Sequence, residues 1–309
     1  MTPILALVGC TASGKSALAL ALARRRGDVE LVSVDSMQVY REMDIGTAKP
    51  TWAERADVPH HLIDVADPAD DYTVSRFQHD AAAAVADIVA RGRVPLLVGG
   101  TGLYLQAVLD DLDIPGRYPE VRAELEAHGD TTALHHRLAE LDPVAAGRME
   151  PTNRRRVVRA LEVTVGSGRP FSSYGPGIDA YPDHGHRVVG LRLPRPVIDR
   201  RIAERYDRQM SDGLLVEVEA LAHRPGGLSA TARQALGYRE LLAHVEGAAP
   251  LHECLDEARA RTRRFARRQE RWFRRDPRVM WVDVDDNPLA ALDPLLRQCE
   301  GFVDQGDQA

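Results

Sequence analysis

The stretch Ile4-Leu5-Ala6-Leu7-Val8 runs directly into Gly9-Cys10-Thr11-Ala12-Ser13-Gly14-Lys15-Ser16, and an apolar, alanine- and leucine-rich segment follows over residues 17–23. The octapeptide is a complete G-x-x-x-x-G-K-[ST] phosphate-binding loop. Its setting, a β-prone run before and a helix-prone run after, is the context that the motif requires. Backbone N–H groups in such a loop curl around an anionic oxygen, and the helix N-terminus adds positive potential. Lys15 adds a full charge and Ser16 a hydroxyl suited to Mg²⁺. Gly9, Thr11, Ala12, Ser13, Gly14, Lys15 and Ser16 are the expected phosphate contacts, and Ser16 is the expected metal ligand. Of 40 basic residues only Lys15 and Lys49 are lysines. In so arginine-rich a chain these two positions point to sites that need a compact ammonium.

Composition narrows the class. The 309 residues suffice for one large domain or a domain with an insertion, and 44% hydrophobic with 28% charged residues suits a folded soluble protein. No apolar run approaches the length of about eighteen residues that a membrane span needs. Met1-Thr2-Pro3 leads straight into the first strand without a basic n-region or cleavage signal, so no signal peptide is expected. Cys10, Cys254 and Cys299 are widely spaced, without a C-x-x-C pair. That pattern suggests neither a disulfide framework nor a zinc site and leads to a cytoplasmic expectation.

The first hundred residues alternate strand and helix: strands at 4–8, 30–34 and 94–98, and a helix at 75–90. Such alternation predicts a parallel sheet covered by helices. After Asp113 the pattern becomes helix upon helix, at 120–127, 132–141 and 154–165, punctuated by Pro143 and Pro151. A Gly-, Pro- and Ser-rich loop covers 166–185. Strand character returns at 187–191, then helices at 198–211, 214–222, 239–245 and 251–275, a strand at 279–282 and a tail helix fraying from Asp304. The expected architecture is an α/β phosphate-loop core of residues 1–113 and 187–309 with a helical insertion at 114–186.

Asp35 ends the second strand, where open α/β sheets bind ligands. Such an Asp can hold Mg²⁺, accept a proton, or simply cap a turn. Thr101 follows Gly99 and Gly100 at another strand end; it can donate to a phosphate oxygen or cap the next helix. Lys49, in the loop 44–50, suits either substrate contact or loop rigidity. Residues 251–275 hold nine arginines against four acids. Leu255, Ala258, Thr262, Phe265 and Trp272 fall at helical spacing as the expected buried stripe. With Arg154, Arg155, Arg156 and Arg159, this gives two basic clusters on a chain of net charge −6. They read as a polyanion footprint or as solvated faces. The pairs His60-His61 and His135-His136 are not metal sites if helical, because neighbours on a helix do not share a face.

Five segments stand in order: the loop at 9–16, Val34-Asp35-Ser36, Met43-Asp44-Ile45-Gly46-Thr47-Ala48-Lys49-Pro50, Leu97-Val98-Gly99-Gly100-Thr101-Gly102-Leu103-Tyr104, and Arg159-Ala160-Leu161-Glu162-Val163. Together they resemble the bacterial tRNA dimethylallyltransferases, over nearly the whole chain. Cys10 departs from the proline usual in the family, and Arg155 from a frequent glutamine. The resemblance implies dimethylallyl diphosphate in the phosphate loop with Mg²⁺, and the N6 amine of adenosine beside the anticodon as acceptor. It implies Asp35 as the base, with Lys15, Thr101 and Arg205 stabilising the departing diphosphate. It further implies tRNA contacts by Asp35, Ser36, Met37, Gln38, Thr101, Arg122, Arg155, Arg156, Arg159, Arg233, Gly237 and Tyr238. The insertion and the arginine-rich helix would grip the anticodon stem–loop, and the base would leave its stack. A monomer is expected. Two rivals share the loop. One is a transferase acting on free adenine nucleotides, or a small-molecule kinase; neither needs the insertion and two arginine clusters. The other is a noncatalytic RNA-binding protein, which leaves Asp35 and Thr101 without a purpose.

Overall fold

The computed structural model describes residues 4–306, with side chains through Cys299. The chain packs as two compact units, residues 1–110 with 181–309, and residues 111–180. In the first unit the order is β1 (Leu5–Val8), α1 (Lys15–Arg26), β2 (Val29–Val34), α2 (Trp52–Asp57), β3 (His60–His61), α3 (Val74–Ala90), β4 (Val94–Gly99) and α4 (Gly102–Leu109). The second unit carries α5 (Pro119–Ala127), α6 (Thr131–Leu141), α7 (Pro143–Gly147) and α8 (Arg154–Ser167). The first then resumes with β5 (Arg187–Arg192), α9 (Arg195–Ser211), α10 (Leu214–Ala222), α11 (Tyr238–Val245), α12 (Leu251–Phe273), β6 (Val279–Asp283) and α13 (Leu292–Gly306).

The strands form one parallel sheet ordered β3-β2-β4-β1-β5-β6. Every residue of β1 and β2 is buried. Their near-continuous apolar runs follow, because a parallel sheet is covered on both faces. The α3 stripe Phe77, Ala81, Val85 and Ile88 recurs at helical spacing and is buried. Pro95 occupies the second residue of β4, close to the strand start. The helical unit has its own core of Leu125, Leu134, Leu138, Val157 and Leu161. Asp130, Asp142 and Asn153 accept amide hydrogens at the starts of α6, α7 and α8, the N-cap role their short acceptors favour.

Several expectations change in detail. The helical unit ends at Ala180, not 186; His186, the residue before β5, is tied to the first unit through its ring. Its Nδ1 accepts from the Ile4 amide at 3.1 Å and its Nε2 bonds the Leu109 carbonyl at 2.9 Å. His60-His61 is an edge strand rather than a helical pair. The buried stripe of α12 is Cys254, Ala258, Thr262, Ala266, Gln269 and Phe273. Leu255 and Trp272 only flank the core, and Phe265 lies under the Arg268 guanidinium. The tail helix continues through Asp304 to Gly306; residues 307–309 lie outside the described residues.

One buried charge ties the edge of the sheet together. Glu30 on β2, 2% exposed, meets Arg91 at 2.5 Å, Arg93 at 2.7 Å and His61 at 2.7 Å. Its hydrogen bonds from Arg91 hold its pKa at about 2, against an ordinary 4.5. A carboxylate held low contributes stability that is complete above its unfolded value and is lost as pH falls toward its folded one. Glu30→Gln is therefore expected to cost about 2 kcal/mol at pH 7. Denaturant titrations of mutant and wild type should converge between pH 4.5 and about 2; a constant gap would refute the linkage.

Candidate active site

Parallel pairing sets Val8 opposite Gly99 and Gly99 opposite Val34. β1, β4 and β2 therefore end level, and the next residues, Gly9, Gly100 and Asp35, leave one edge of the sheet side by side. Gly99 is required there: a Cβ would lie 2.0 Å from the Val34 carbonyl oxygen, a backbone atom that cannot yield.

In the phosphate loop Ala12 and Gly14 take positive φ, 63° and 87°. Gly14 is the residue before α1, whose first turn carries no acid, so its N-terminal amides are left for an anion. Among the described residues Lys15 Nζ donates only to the Cys10 carbonyl, at 3.3 Å. Burial pushes its pKa down, and the charge of Asp35 opposes that shift. Arg205 donates to Thr11 Oγ1 at 3.1 Å, and Arg201 to the Ala12 and Ser13 carbonyls at 3.3 and 3.4 Å. Ser13 Oγ is buried without a partner, and Ser16 is exposed in the first turn. Among the described residues no group of three His, Cys, Asp or Glu is placed to hold a metal. Magnesium needs no such cage when phosphate and water fill its shell, and one hydroxyl such as Ser16 fits that role.

Asp35 Oδ1 accepts from the amides of Met37 (2.8 Å) and Gln38 (3.3 Å), so it does cap a turn. Its Oδ2 remains available, and Asp35 acts electrostatically on both Lys15 and Arg205. Thr101 precedes α4 without capping it. Its Oγ1 accepts from the Ser36 amide at 3.4 Å, which leaves the hydroxyl proton to donate elsewhere. These contacts join Lys15, Arg205, Asp35, Ser36 and Thr101 in one cluster.

Other sequence-marked residues are spent on scaffolding. Lys49, with its side chain 4% exposed, reaches the Tyr40 carbonyl, Asp44 and Asp64 at 2.5–2.6 Å. It is a loop hub. Gln38 Nε2 donates to the Thr47 and Ala48 carbonyls. Tyr238 is fully buried and donates to Glu217 at 2.5 Å. That carboxylate collects the amides of Asp44, Ile45 and Gly46. The ring thus shapes the 44–46 turn instead of presenting a face to RNA. Gly237 starts α11 at φ 86°, and Arg233 pairs with Glu246. Beside the cluster, Lys49, Trp52, Arg55, Arg205, Arg208 and Asp212 line a cleft of about 490 Å³.

The basic clusters divide in the same way. In the helical unit Arg122 and Arg159 pair with buried Glu162, and Arg154 is bound to the Glu126 and His128 carbonyls. Only Arg155 and Arg156 of that cluster are exposed without an ion pair among the described residues. On α12 Arg259, Arg261 and Arg264, and Arg274 just past its end, are paired with acids, whereas Arg267, Arg268 and Arg271 face outward. Sequence reading missed Arg201, Glu217 and Gln269. Of these only Gln269 carried a signal, an amide at helical spacing from Thr262 among buried residues.

The family model described as IPP transferase matches residues 38–276, and that of isopentenyl transferase matches residues 2–64. A tRNA dimethylallyltransferase of Thermobifida fusca is 49% identical, covering 92% of this chain and 91% of its own. One from Roseiflexus castenholzii is 47% identical over 99% and 98%. The crystal structure of a full-length tRNA isopentenylpyrophosphate transferase from Bacillus halodurans superposes with a TM-score of 0.73 at 37% identity, covering 100% and 99%. A eukaryotic dimethylallyltransferase acting on tRNA gives a TM-score of 0.77 at 25% identity, covering 97% of this chain and 78% of that one.

The half-buried Lys15 ammonium makes anion binding pH-dependent. Lys15 must be protonated to meet an anion, and its pKa is held below the usual lysine value by burial. Affinity for inorganic pyrophosphate should fall as pH rises past that lowered value. Binding in that range should take up a proton, because the anion restores the charge. Calorimetry in buffers of different ionisation enthalpy should register this uptake in the wild type and not in Lys15→Met. Lys15→Arg should also bind poorly, since a planar guanidinium does not fit a space shaped for an ammonium.

Proposed function

We propose that this chain, which belongs to the tRNA dimethylallyltransferase family, transfers a dimethylallyl group from dimethylallyl diphosphate to N6 of the adenosine 3′-adjacent to the anticodon of tRNA. The observation that carries the reading is the level ending of three strands, which gathers the phosphate loop, Asp35 and Thr101 at one place. A phosphate loop alone would suit a kinase. A leaving diphosphate makes the same demands on backbone amides as a nucleotide does, and family membership favours the prenyl donor.

In the proposed step the N6 lone pair forms a bond to the allylic C1 while the C1–O bond to diphosphate breaks. The exocyclic nitrogen is a weak nucleophile, because its lone pair is delocalised into the ring. Asp35 Oδ2 accepts the proton that nitrogen sheds, while Oδ1 stays on the Met37 and Gln38 amides and holds the carboxylate in place. Lys15 and Arg205 meet the charge that grows on the leaving group. Thr101 donates a hydrogen bond to that group through its hydroxyl. Stabilising such developing charge with fixed groups is usually the largest catalytic contribution. We assign the Mg²⁺ position to Ser16, where the ion would neutralise diphosphate charge. Arg155, Arg156 and the outward arginines of α12 supply phosphate contacts to the RNA. No helix among the described residues is long and apolar enough to cross a membrane, and a cytoplasmic site of action is part of the proposal.

Incubation with radiolabelled dimethylallyl diphosphate and, separately, unmodified tRNA, an anticodon stem–loop, AMP or ATP tests the reading. Label should enter the two RNAs; label in AMP or ATP alone would overturn the acceptor. Asp35→Asn keeps the Oδ1 acceptor and removes the base. Its single-turnover rate should drop by about 10² to 10⁴, with tRNA and pyrophosphate affinities within a few-fold. Loss of Mg²⁺-dependent pyrophosphate binding instead would make Asp35 a metal-site residue. Arg155→Ala with Arg156→Ala should weaken tRNA binding and lower the slope of log affinity against log salt by about one per lost phosphate contact. An unchanged slope would place the RNA elsewhere.

A further inference from the structure

Gln269 stands out in the interior face of α12. It is 7% exposed, in a row otherwise made of Cys254, Ala258, Ala266, Phe273 and a Thr262 that shares its hydroxyl with Tyr206 at 2.9 Å. An amide in such a place is costly unless both ends are bonded. Both are. Oε1 accepts from the Thr11 amide at 2.8 Å, and Nε2 donates to the Gly100 carbonyl at 2.8 Å. One side chain thus cross-links the loop after β1 to the loop after β4, the two that carry the phosphate site and Thr101.

The fit is close. A Cβ on Gly100 would lie 2.2 Å from Gln269 Nε2, so the amide occupies the space a side chain there would take. Next door, a Cβ on Gly102 would lie 2.2 Å from Trp272, so α12 seats the start of α4 at two successive contacts. On the other side Thr11 is held at both ends, its amide by Gln269 and its hydroxyl by Arg205. The Thr11 N–H is therefore committed to the protein, and the anion must be met by the amides that follow it. The same stretch of α12 carries Arg267, Arg268 and Arg271 outward.

We propose that Gln269 is a positioning residue for the transfer step: by bonding Thr11 and Gly100 together it sets the spacing between the phosphate loop and the Gly100–Thr101 turn. The inference rests on the site reading given above. The phosphate loop holds the diphosphate, whereas Thr101 bonds the Ser36 amide next to the base Asp35, so a shift of the two loops relative to each other moves the diphosphate, and with it C1, against the group that meets N6. Misplacement by about 1 Å can cost on the order of 10²-fold in rate without loss of binding.

Two variants of the full-length enzyme test this with tRNA and dimethylallyl diphosphate. Gln269→Leu removes both bonds; its single-turnover rate should fall by about 10²-fold while tRNA and pyrophosphate affinities stay within a few-fold. Gln269→Glu keeps the acceptor for Thr11 but sets a carboxylate against the Gly100 carbonyl, and only its protonated form can donate there. Its rate, divided by that of wild type at each pH, should rise toward acid, whereas the Gln269→Leu ratio stays flat. A merely structural role would not generate that pH signature, and the Glu variant keeps the test open if the Leu variant fails to fold. A rate for Gln269→Leu within threefold of wild type, or a flat Gln269→Glu ratio, overturns the proposal alone. A parallel loss of pyrophosphate binding also overturns it, since the residue would then maintain the loop rather than its spacing. Absence of transfer by the wild type in the same assay overturns the transferase reading and this proposal with it.

Discussion

The register of three neighbouring strands governs the rest of the site. Because Val8, Gly99 and Val34 lie abreast, residues distant in sequence leave the sheet at one level and can act on one ligand. Hydrogen bonding between parallel strands is evenly spaced, so this alignment is set by many weak bonds and not by any single contact. The loops themselves are then held from outside the sheet. Arg201 and Arg205 reach in from α9, and Gln269 from α12. The reacting groups ride on short turns, but those turns are clamped to long helices, and such support gives a site its precision.

Arginine does two separate jobs in this chain. A large part of its content is internal wiring: Arg278 joins Asp110 and Asp276, Arg224 joins Glu42 and Asp67, and Arg154 ties three helix-end carbonyls. A planar fork suits such multi-point bonding. The outward residues Arg155, Arg156, Arg267, Arg268 and Arg271 are among those left to face a polyanion. Density of positive charge in the sequence therefore overstates the RNA-facing surface, because it counts both kinds alike.

Much of the fold was legible because its signals are local. The apolar runs of β1, β2, β4 and β5 and the stripe of α3 follow from periodicity, and the loop at 9–16 from its glycines and lysine. What was not legible depends on partners far away in the chain. Lys49 is bonded to Asp64 and Tyr238 to Glu217, pairings no local pattern announces. A two-residue strand such as β3 has too little length to show alternation. On α12, arginine at so many positions masked the phase of the helix, and the stripe was read with Phe265 inside although the core there is Ala266. The glutamine on that face was passed over because it sits within a charge run.

The sheet also has a history written into its strand order. β1 has β4 on one side and β5 on the other, and the whole helical unit, 111–180, is encoded between those two neighbours. Pro288 then packs against Gly14, where a Cβ would lie 2.5 Å from its ring. During synthesis the first strand and its loop leave the ribosome long before the elements that complete them. At about 5–20 residues per second, the gap between Gly14 and Pro288 lasts tens of seconds. The phosphate loop is made long before the segment that packs against it. A chain that stops before Pro288 lacks that contact with the loop.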